Sequence, residues 1–362
     1  MLHTARQPWS WFIFDVGRDS TPHSRVNSMN PRDIFTIVSA ILTVTSSLVA
    51  QDRHIGTINF YGYPGLDLQQ LRATLPFHEG DPFPSREQLA AAREPFANAI
   101  GRTRVRFSPN CCLADGRLLL FVGIEEPEAA PIIFNPKPAG DARLPVELVK
   151  LYLDHEQEVR NAVRQGKGQE DDSQGFRLMV FPPARALELK IRDYAQAHPA
   201  HIIKVLAESK DDEHRAAAAV AIGYADESDA QIAALVRASF DPTVDVRDEA
   251  TRALGILIEH DPKALKKVPL KGYVALLRSL DWLDRNKAAS IIDSFTKTRD
   301  PEVLRQLRSS AVTPLREVVQ WKDFSHAYCA FAALGRIAGW DEKRIVELAV
   351  KEDVESVLNA TR

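Results

Sequence analysis

The segment Arg215-Ala-Ala-Ala-Ala-Val-Ala-Ile-Gly223 returns 32 residues later as Arg247-Asp-Glu-Ala-Thr-Arg-Ala-Leu-Gly255. A third copy, Arg285-Asn-Lys-Ala-Ala-Ser-Ile-Ile-Asp293, keeps the arginine and the first alanine but loses the glycine. A fourth, Ala327-Tyr-Cys-Ala-Phe-Ala-Ala-Leu-Gly335, keeps Ala-x-x-Ala-Leu-Gly and loses the arginine. A repeat of this length commits the chain to a stack of similar units, because one helix pair cannot bury its own apolar face. Alanines at helical spacing let neighbouring helices approach closely, and the glycine ends a helix or admits a neighbour. Each copy follows an acidic or turn-like lead: Asp211-Asp212, Asp241-Pro242, Asp281 with Asp284, and Asp323. An aspartate there can cap the helix at the positive end of its dipole. Partner helices are expected between the copies, at 229–240, 273–280 and 303–319.

With its lead, the second copy reads Asp241-Pro-Thr-Val-Asp-Val-Arg247, followed by Ala250, Ala253, Leu254 and Gly255. This resembles the HEAT repeat, in the short form of phycobilisome-lyase-like proteins, over roughly residues 199–350. The resemblance implies an α-solenoid of helix pairs with an extended concave surface for protein partners. Lyase activity does not follow from it, since a fold does not specify chemistry.

Upstream, the run from Ile34 to Ala50 is uncharged, preceded by Arg32-Asp33 and followed by Gln51-Asp52-Arg53-His54. That layout predicts a secretory signal cleaved after Ala50. The competing reading is an uncleaved anchor, which its short length and its three Thr and three Ser disfavour. Because the apolar run starts more than thirty residues in, Met29 is the natural start, and residues 1–28 read as a mis-called start or an unstructured leader. Residues 29–50 are then the signal peptide or anchor.

Residues 54–126 read as a small α+β module of order β-α-α-β-β. Ile58 and Phe60 alternate with polar neighbours up to Gly62 and Pro64, a strand signature. Leu68, Leu71 and Leu75 share one helical face. Ser85 with Gln88 has capping-box spacing at the head of a helix that stops at Gly101, and Pro95 should kink or break that helix. Residues 103–108 alternate as a second strand, and Leu118-Leu-Leu-Phe-Val-Gly-Ile124 reads as a central strand buried on both faces. The Ile58-x-Phe60-x-Gly62 strand, the Gly80-Asp81-Pro82-Phe83 loop and the closing Val122-Gly-Ile-Glu-Glu126 resemble a POTRA domain. The resemblance implies a sheet edge that takes up an extended peptide. Arg102, Arg104 and Arg106, expected on one face of the second strand, are its candidate partner-binding residues. The competing reading is that these charges protect the edge from aggregation. The vicinal Cys111-Cys112 pair departs from the POTRA pattern. Its plain reading is one side chain in the core and one in solvent; an oxidised pair is the alternative.

Residues 127–145, rich in Pro and Ala, read as a linker. A helix is expected over 145–164 and a polar loop over 165–175, with helices thereafter. Within that loop Glu170-Asp171-Asp172-Ser173 reads as solvated, since it lacks the alternation of a calcium loop. His78-Glu79 and His155-Glu156 read as surface pairs, because neither continues into HExxH. Cys329 reads as a small core residue. No nucleophile elbow, phosphate-binding glycine loop or dinucleotide fingerprint occurs. A net charge of −3 gives no general attraction to nucleic acid.

The sequence therefore predicts a mostly α protein: a helical region over 146–362, with an α-solenoid of HEAT-like repeats from about 199, behind a βααββ module. It predicts a non-enzymatic, exported protein-interaction scaffold with no cofactor, no metal and no catalytic residue. The two alternatives are a membrane-anchored accessory factor of envelope assembly and a lyase-like enzyme acting on a bound chromophore.

Overall fold

The computed structural model describes residues 53–113 and 115–362; the segment from Ile34 to Ala50 lies outside them. Strand β1 (Ile55–Tyr61) leads to helices α1 (Leu68–Thr74) and α2 (Arg86–Ala99), then to β2 (Val105–Asn110) and β3 (Leu118–Ile124). The sheet order is β1-β3-β2, with β1 parallel and β2 antiparallel to β3. Ser85 and Gln88 form the full capping box on α2, and Gly101 takes φ +65° after it. Pro95 does not break α2. It sits four residues from the helix end, so its missing N–H forgoes a single intrahelical bond near a terminus.

Central strand β3 is buried along its whole length, and each face has a different partner. On one face Ile58, Phe60, Leu120 and Val122 pack with Leu71, Leu89 and Phe96 of α1 and α2. On the other, Tyr61, Leu119 and Phe121 enter the core of the helical region. The sheet is thus built into the helical body through its second face.

That body begins with α3 (Val146–Arg164), a short hairpin of β4 (Glu170–Asp171) and β5 (Leu178–Met179), and α4 (Pro182–Ala197). Then come α5 (Pro199–Glu208), α6 (Asp212–Ile222), α7 (Asp229–Ala238), α8 (Val244–His260), a 3₁₀ turn (Pro262–Lys267), α9 (Leu270–Leu276) and α10 (Trp282–Lys297). The chain closes with α11 (Pro301–Ser310), α12 (Val312–Val318), α13 (Phe324–Ile337), α14 (Glu342–Val350) and α15 (Val354–Ala360). The four repeat copies are α6, α8, α10 and α13, stacked in that order, each backed by the helix before it. The expected partner helix at 303–319 is two helices, α11 and α12. The small residues permit the stacking: a Cβ on Gly223 would stand 2.9 Å from the Cβ of Ala253 in the next repeat.

Two expectations about loops are corrected. Residues 127–145 are extended, as their composition implies, but they are fastened along the solenoid. Asn135 donates to the carbonyls of Phe240 and Arg237, each at 2.7 Å, and Phe134 lies under the Arg247 guanidinium at 4.2 Å. Gly140 bridges to the Ser209 segment, and the Leu144 N–H donates to His214 Nδ1 at 3.0 Å. The segment is therefore a strap running back from the third repeat to the first. The polar stretch 165–175 is not a free loop either, because it carries β4 and turns through Gly175 (φ +85°) against His260 of α8.

Candidate functional site

The repeat arginines are fully or almost fully buried and form a ladder. Arg215 donates to both carboxylate oxygens of Asp241 (2.9 and 3.0 Å) and to the Ser209 carbonyl (2.9 Å). Arg247 does the same one repeat on, to Asp284 (2.7 and 2.9 Å) and the Asp241 carbonyl (2.9 Å). Each forked pair joins one repeat to the next and fixes their register, a geometry that a planar guanidinium supplies and lysine does not. Asp211 and Asp323 do cap their helices. Asp241 and Asp284 instead receive the preceding arginine, so the acidic lead does a second job that capping arguments miss.

At the third rung the ladder turns into a joint with the sheet. Arg285 reaches Glu317 (2.9 Å) and Glu126 at the end of the sheet module (3.0 Å), and stacks on Tyr61 at 4.8 Å. Glu317 also accepts the N–H groups of Gly62 (2.7 Å) and Tyr63 (3.1 Å). Around this joint Phe121 stacks on Trp282 at 4.3 Å and 7°, Trp321 meets Phe121 edge-on at 5.0 Å, and the Tyr61 hydroxyl donates to the Leu280 carbonyl at 3.0 Å. Burial raises the Glu317 carboxyl pKa, which Arg285 opposes.

A second polar cluster lies farther along α6 and α8, beneath the β4–β5 hairpin. His155 of α3, fully buried, meets Glu188 of α4 at 3.1 Å and Glu156 at 3.4 Å. It is not a surface group: Leu148, Tyr152, His155, Val159 and Ala162 form one buried stripe. Burial works against its charge, yet Glu156 and Glu188 leave its pKa above the usual imidazole range. Glu188 accepts the Met179 N–H at 2.6 Å and lies 3.6 Å from Arg177. Burial opposes its ionisation, but His155 and Arg177 hold its pKa below the usual carboxylate value. Glu170, expected in solvent, is an inward-facing side chain that accepts from Arg252 at 2.7 Å. The hairpin turns it under, while Asp171 stays near the surface in a turn with Ser173. Lys287 of α10 stands 3.6 Å from Asp248 of α8.

Against this cluster opens a small, half-open recess lined by Phe176, Arg177, Tyr224, Glu249, Arg252 and apolar residues of α6 and α8. Burial pushes the Glu249 pKa up to about 7, with Arg177 and Arg252 opposing and Glu156 and Asp248 adding. Burial brings Lys287 down to about 8, against the pull of Asp248. Two groups exchanging protons near neutrality beside a recess make a candidate site. Among the described residues the lining carries no Ser, Thr, Cys or His, and its polar groups are Arg177, Tyr224, Glu249 and Arg252.

The residues singled out in the sequence lie elsewhere. Arg102 precedes β2 and donates to the Pro64 carbonyl at 3.2 Å, and Arg104 pairs with Glu125 at 3.0 Å. Arg106, inside β2, pairs with Asp281 at the head of α10 at 3.0 Å, so the three do not form one strand face. Glu79 pairs with Lys322 across the sheet–solenoid boundary at 2.5 Å, while His78 is exposed. Cys111 and Cys112 are joined to each other, contrary to the plain reading of one inward and one outward thiol. Cys329 is half-buried in α13 beside the core, and burial raises its thiol pKa. Among the described residues no group of three or more His, Cys, Asp or Glu could hold a metal ion, and no helix is long and apolar enough to cross a membrane.

Residues 199–268 match the family model of HEAT repeats. That match and the mostly helical architecture fit a HEAT-repeat protein. The matched span holds α5 to α8, with the first rung of the ladder, Arg215–Asp241, and the arginine of the second. No curated protein matches the chain. Among solved structures, the crystal structure of an engineered protein is similar at 18% identity, over 59% of this chain and 87% of that one. Its TM-score of 0.36 is too loose to argue from.

Proposed function

We propose that this protein is an exported, non-catalytic scaffold that binds protein partners through its repeat stack, with a POTRA-like module locked onto the third and fourth repeats. The observation that carries the reading is the register-fixing Arg–acid ladder through stacked HEAT-like repeats, since HEAT repeats commonly mediate protein–protein contact. The uncharged run from Ile34 to Ala50 supports export, and the β-α-α-β-β order supports the POTRA-like assignment.

The strap and the hairpin occupy part of the solenoid, which directs a search for partners to what they leave open. Val346 and Val350, exposed one turn apart on α14, are accessible apolar positions near the C-terminal end of the stack. Photo-crosslinking residues placed there, at Leu189 of α4 and on the hairpin tip should trap one defined partner from at least one position in living cells. Failure of every position to give a product above background sinks the scaffold reading. A reporter enzyme that folds only outside the cytoplasm, fused after Arg53, should be active; an inactive fusion removes export.

A further inference from the structure

Cys111 and Cys112 are adjacent, joined through their sulfurs and only half-buried. They are also the only two residues between two fixed points. On one side Asn110 ends β2, fully buried and paired with Leu119 of β3, and its side-chain amide meets Nε2 of His326 at 3.3 Å. His326 belongs to α13; its carbonyl accepts from Asn286 of α10 at 2.9 Å, and its ring lies 5.4 Å from that of Trp282. On the other side Leu113 closes a turn. Its N–H donates to the Arg117 carbonyl at 2.9 Å, its carbonyl accepts from Gly116 at 2.8 Å, and its side chain lies where a Cβ on Gly56 of β1 would stand 2.4 Å away. The joined pair therefore spans the step from the last residue of β2, held against the solenoid, to the turn that leads into β3.

We propose that the Cys111–Cys112 bond is a thiol-exchange site, opened by an external dithiol and closed again by oxidation, whose state is felt at the Asn110–His326 contact between the sheet and α13. The proposal goes beyond the scaffold reading and does not depend on it. A thiolate of the donor attacks one cysteine sulfur; the bond between the two cysteines breaks, and the other sulfur leaves as a thiolate and takes a proton. The donor's second thiol then displaces the first cysteine from the mixed disulfide. The pair gains two electrons and two protons, and the donor ends as a disulfide. A donor with a single thiol serves poorly, because the freed cysteine is the immediate neighbour of the mixed disulfide and expels the donor again. The attacking thiolate comes from outside the chain: Cys329 is the one other cysteine, and burial raises its thiol pKa. Once open, the two side chains are free to take the alternation of an extended chain, one toward the solenoid and one toward solvent. That change begins one residue from Asn110 and so reaches His326.

The test treats the oxidised full chain, without denaturant, with dithiothreitol or with glutathione at equal thiol concentration. The reaction is quenched with N-ethylmaleimide, and the peptide holding Cys111 and Cys112 is read by mass spectrometry, apart from the Cys329 peptide. Dithiothreitol should place a maleimide on both cysteines, roughly tenfold faster than glutathione, and a mild oxidant added before the quench should prevent the labelling. Maleimide on that peptide before any reductant is added overturns the assignment, since the thiols were then free. Labelling that waits for urea overturns it too, since no donor then reaches the bond in the folded chain. Glutathione acting as fast as dithiothreitol removes the dithiol as the donor class. The coupling is read by NMR: the His326 ring signals should shift on reduction and return on oxidation. A chain carrying Cys111→Ser and Cys112→Ser, shown by dichroism to be folded, should not respond to dithiothreitol. His326 signals that stay put in the fully reduced parent chain overturn the coupling to the sheet–solenoid contact.

Discussion

At the scale of single residues, the forked Arg–Asp pairs hold repeat to repeat, whereas Glu249 does not. Removing one member of a forked pair such as Arg247–Asp284 would strand a buried charge, at a cost of about 3–5 kcal/mol. Glu249 behaves oppositely, because its charge costs more in the folded chain than in the unfolded one. Its pKa rises from 4.5 to about 7 on folding. Its contribution is therefore fully favourable below 4.5 and declines as pH climbs through 7. At about 1.4 kcal/mol per unit, the loss approaches roughly 3 kcal/mol. Glu249→Gln should accordingly gain about that much stability relative to the parent chain between pH 4.5 and pH 8, measured by urea unfolding at both. A difference that does not change with pH would show that Glu249 is solvated.

At the scale of elements, Gly62 carries the connection between β1 and the ladder. Its φ is +75°, and a Cβ would stand 1.9 Å from the Ile124 carbonyl oxygen and 3.1 Å from the Arg285 guanidinium. Gly62→Ala should cost at least about 3 kcal/mol in thermal or urea unfolding, from backbone strain and displacement of the joint together. A loss under 1 kcal/mol would mean that the strand end can move away from the ladder. Much at this scale was legible in the sequence. The capping box at Ser85, the doubly buried β3 and the helical repeat copies follow from local pattern, because local sequence fixes caps and periodicity. What was not legible depends on pairing across distance. Nothing local to Glu170 says that Arg252 waits beneath the hairpin, and nothing in residues 127–145 says that they lie along the ladder. His155 and Glu188 were within reach, because each falls on the buried stripe of its helix; HExxH spacing tests for zinc and is silent on burial. The recess itself needs α6, α8 and the hairpin together, and so had no signal in any one segment.

At the scale of the whole molecule, the sheet and the solenoid share a core through Phe121, Trp282 and Trp321, tied by Arg285, Glu126 and Glu317. Unfolding should therefore be one event: tryptophan fluorescence and far-ultraviolet dichroism should trace the same urea curve, and a chain lacking residues 54–126 should expose Trp282 and lose the cooperative transition. Two separated transitions would instead describe beads on a strap. The shared core also sets a timetable for synthesis. The Gly62 amide meets its acceptor, Glu317, 255 positions later in the chain. At about 5–20 residues per second a ribosome needs roughly 13–50 s to make that stretch. For the part of that time that follows the completion of β3 at Ile124, the second face of the sheet lacks its Trp282 and Trp321 cover, and the nascent chain carries an aromatic surface with nothing to close it. A polypeptide built on this plan reaches its native state late and all at once. It depends, until its last third has emerged, on whatever in the cell shields unfinished chains.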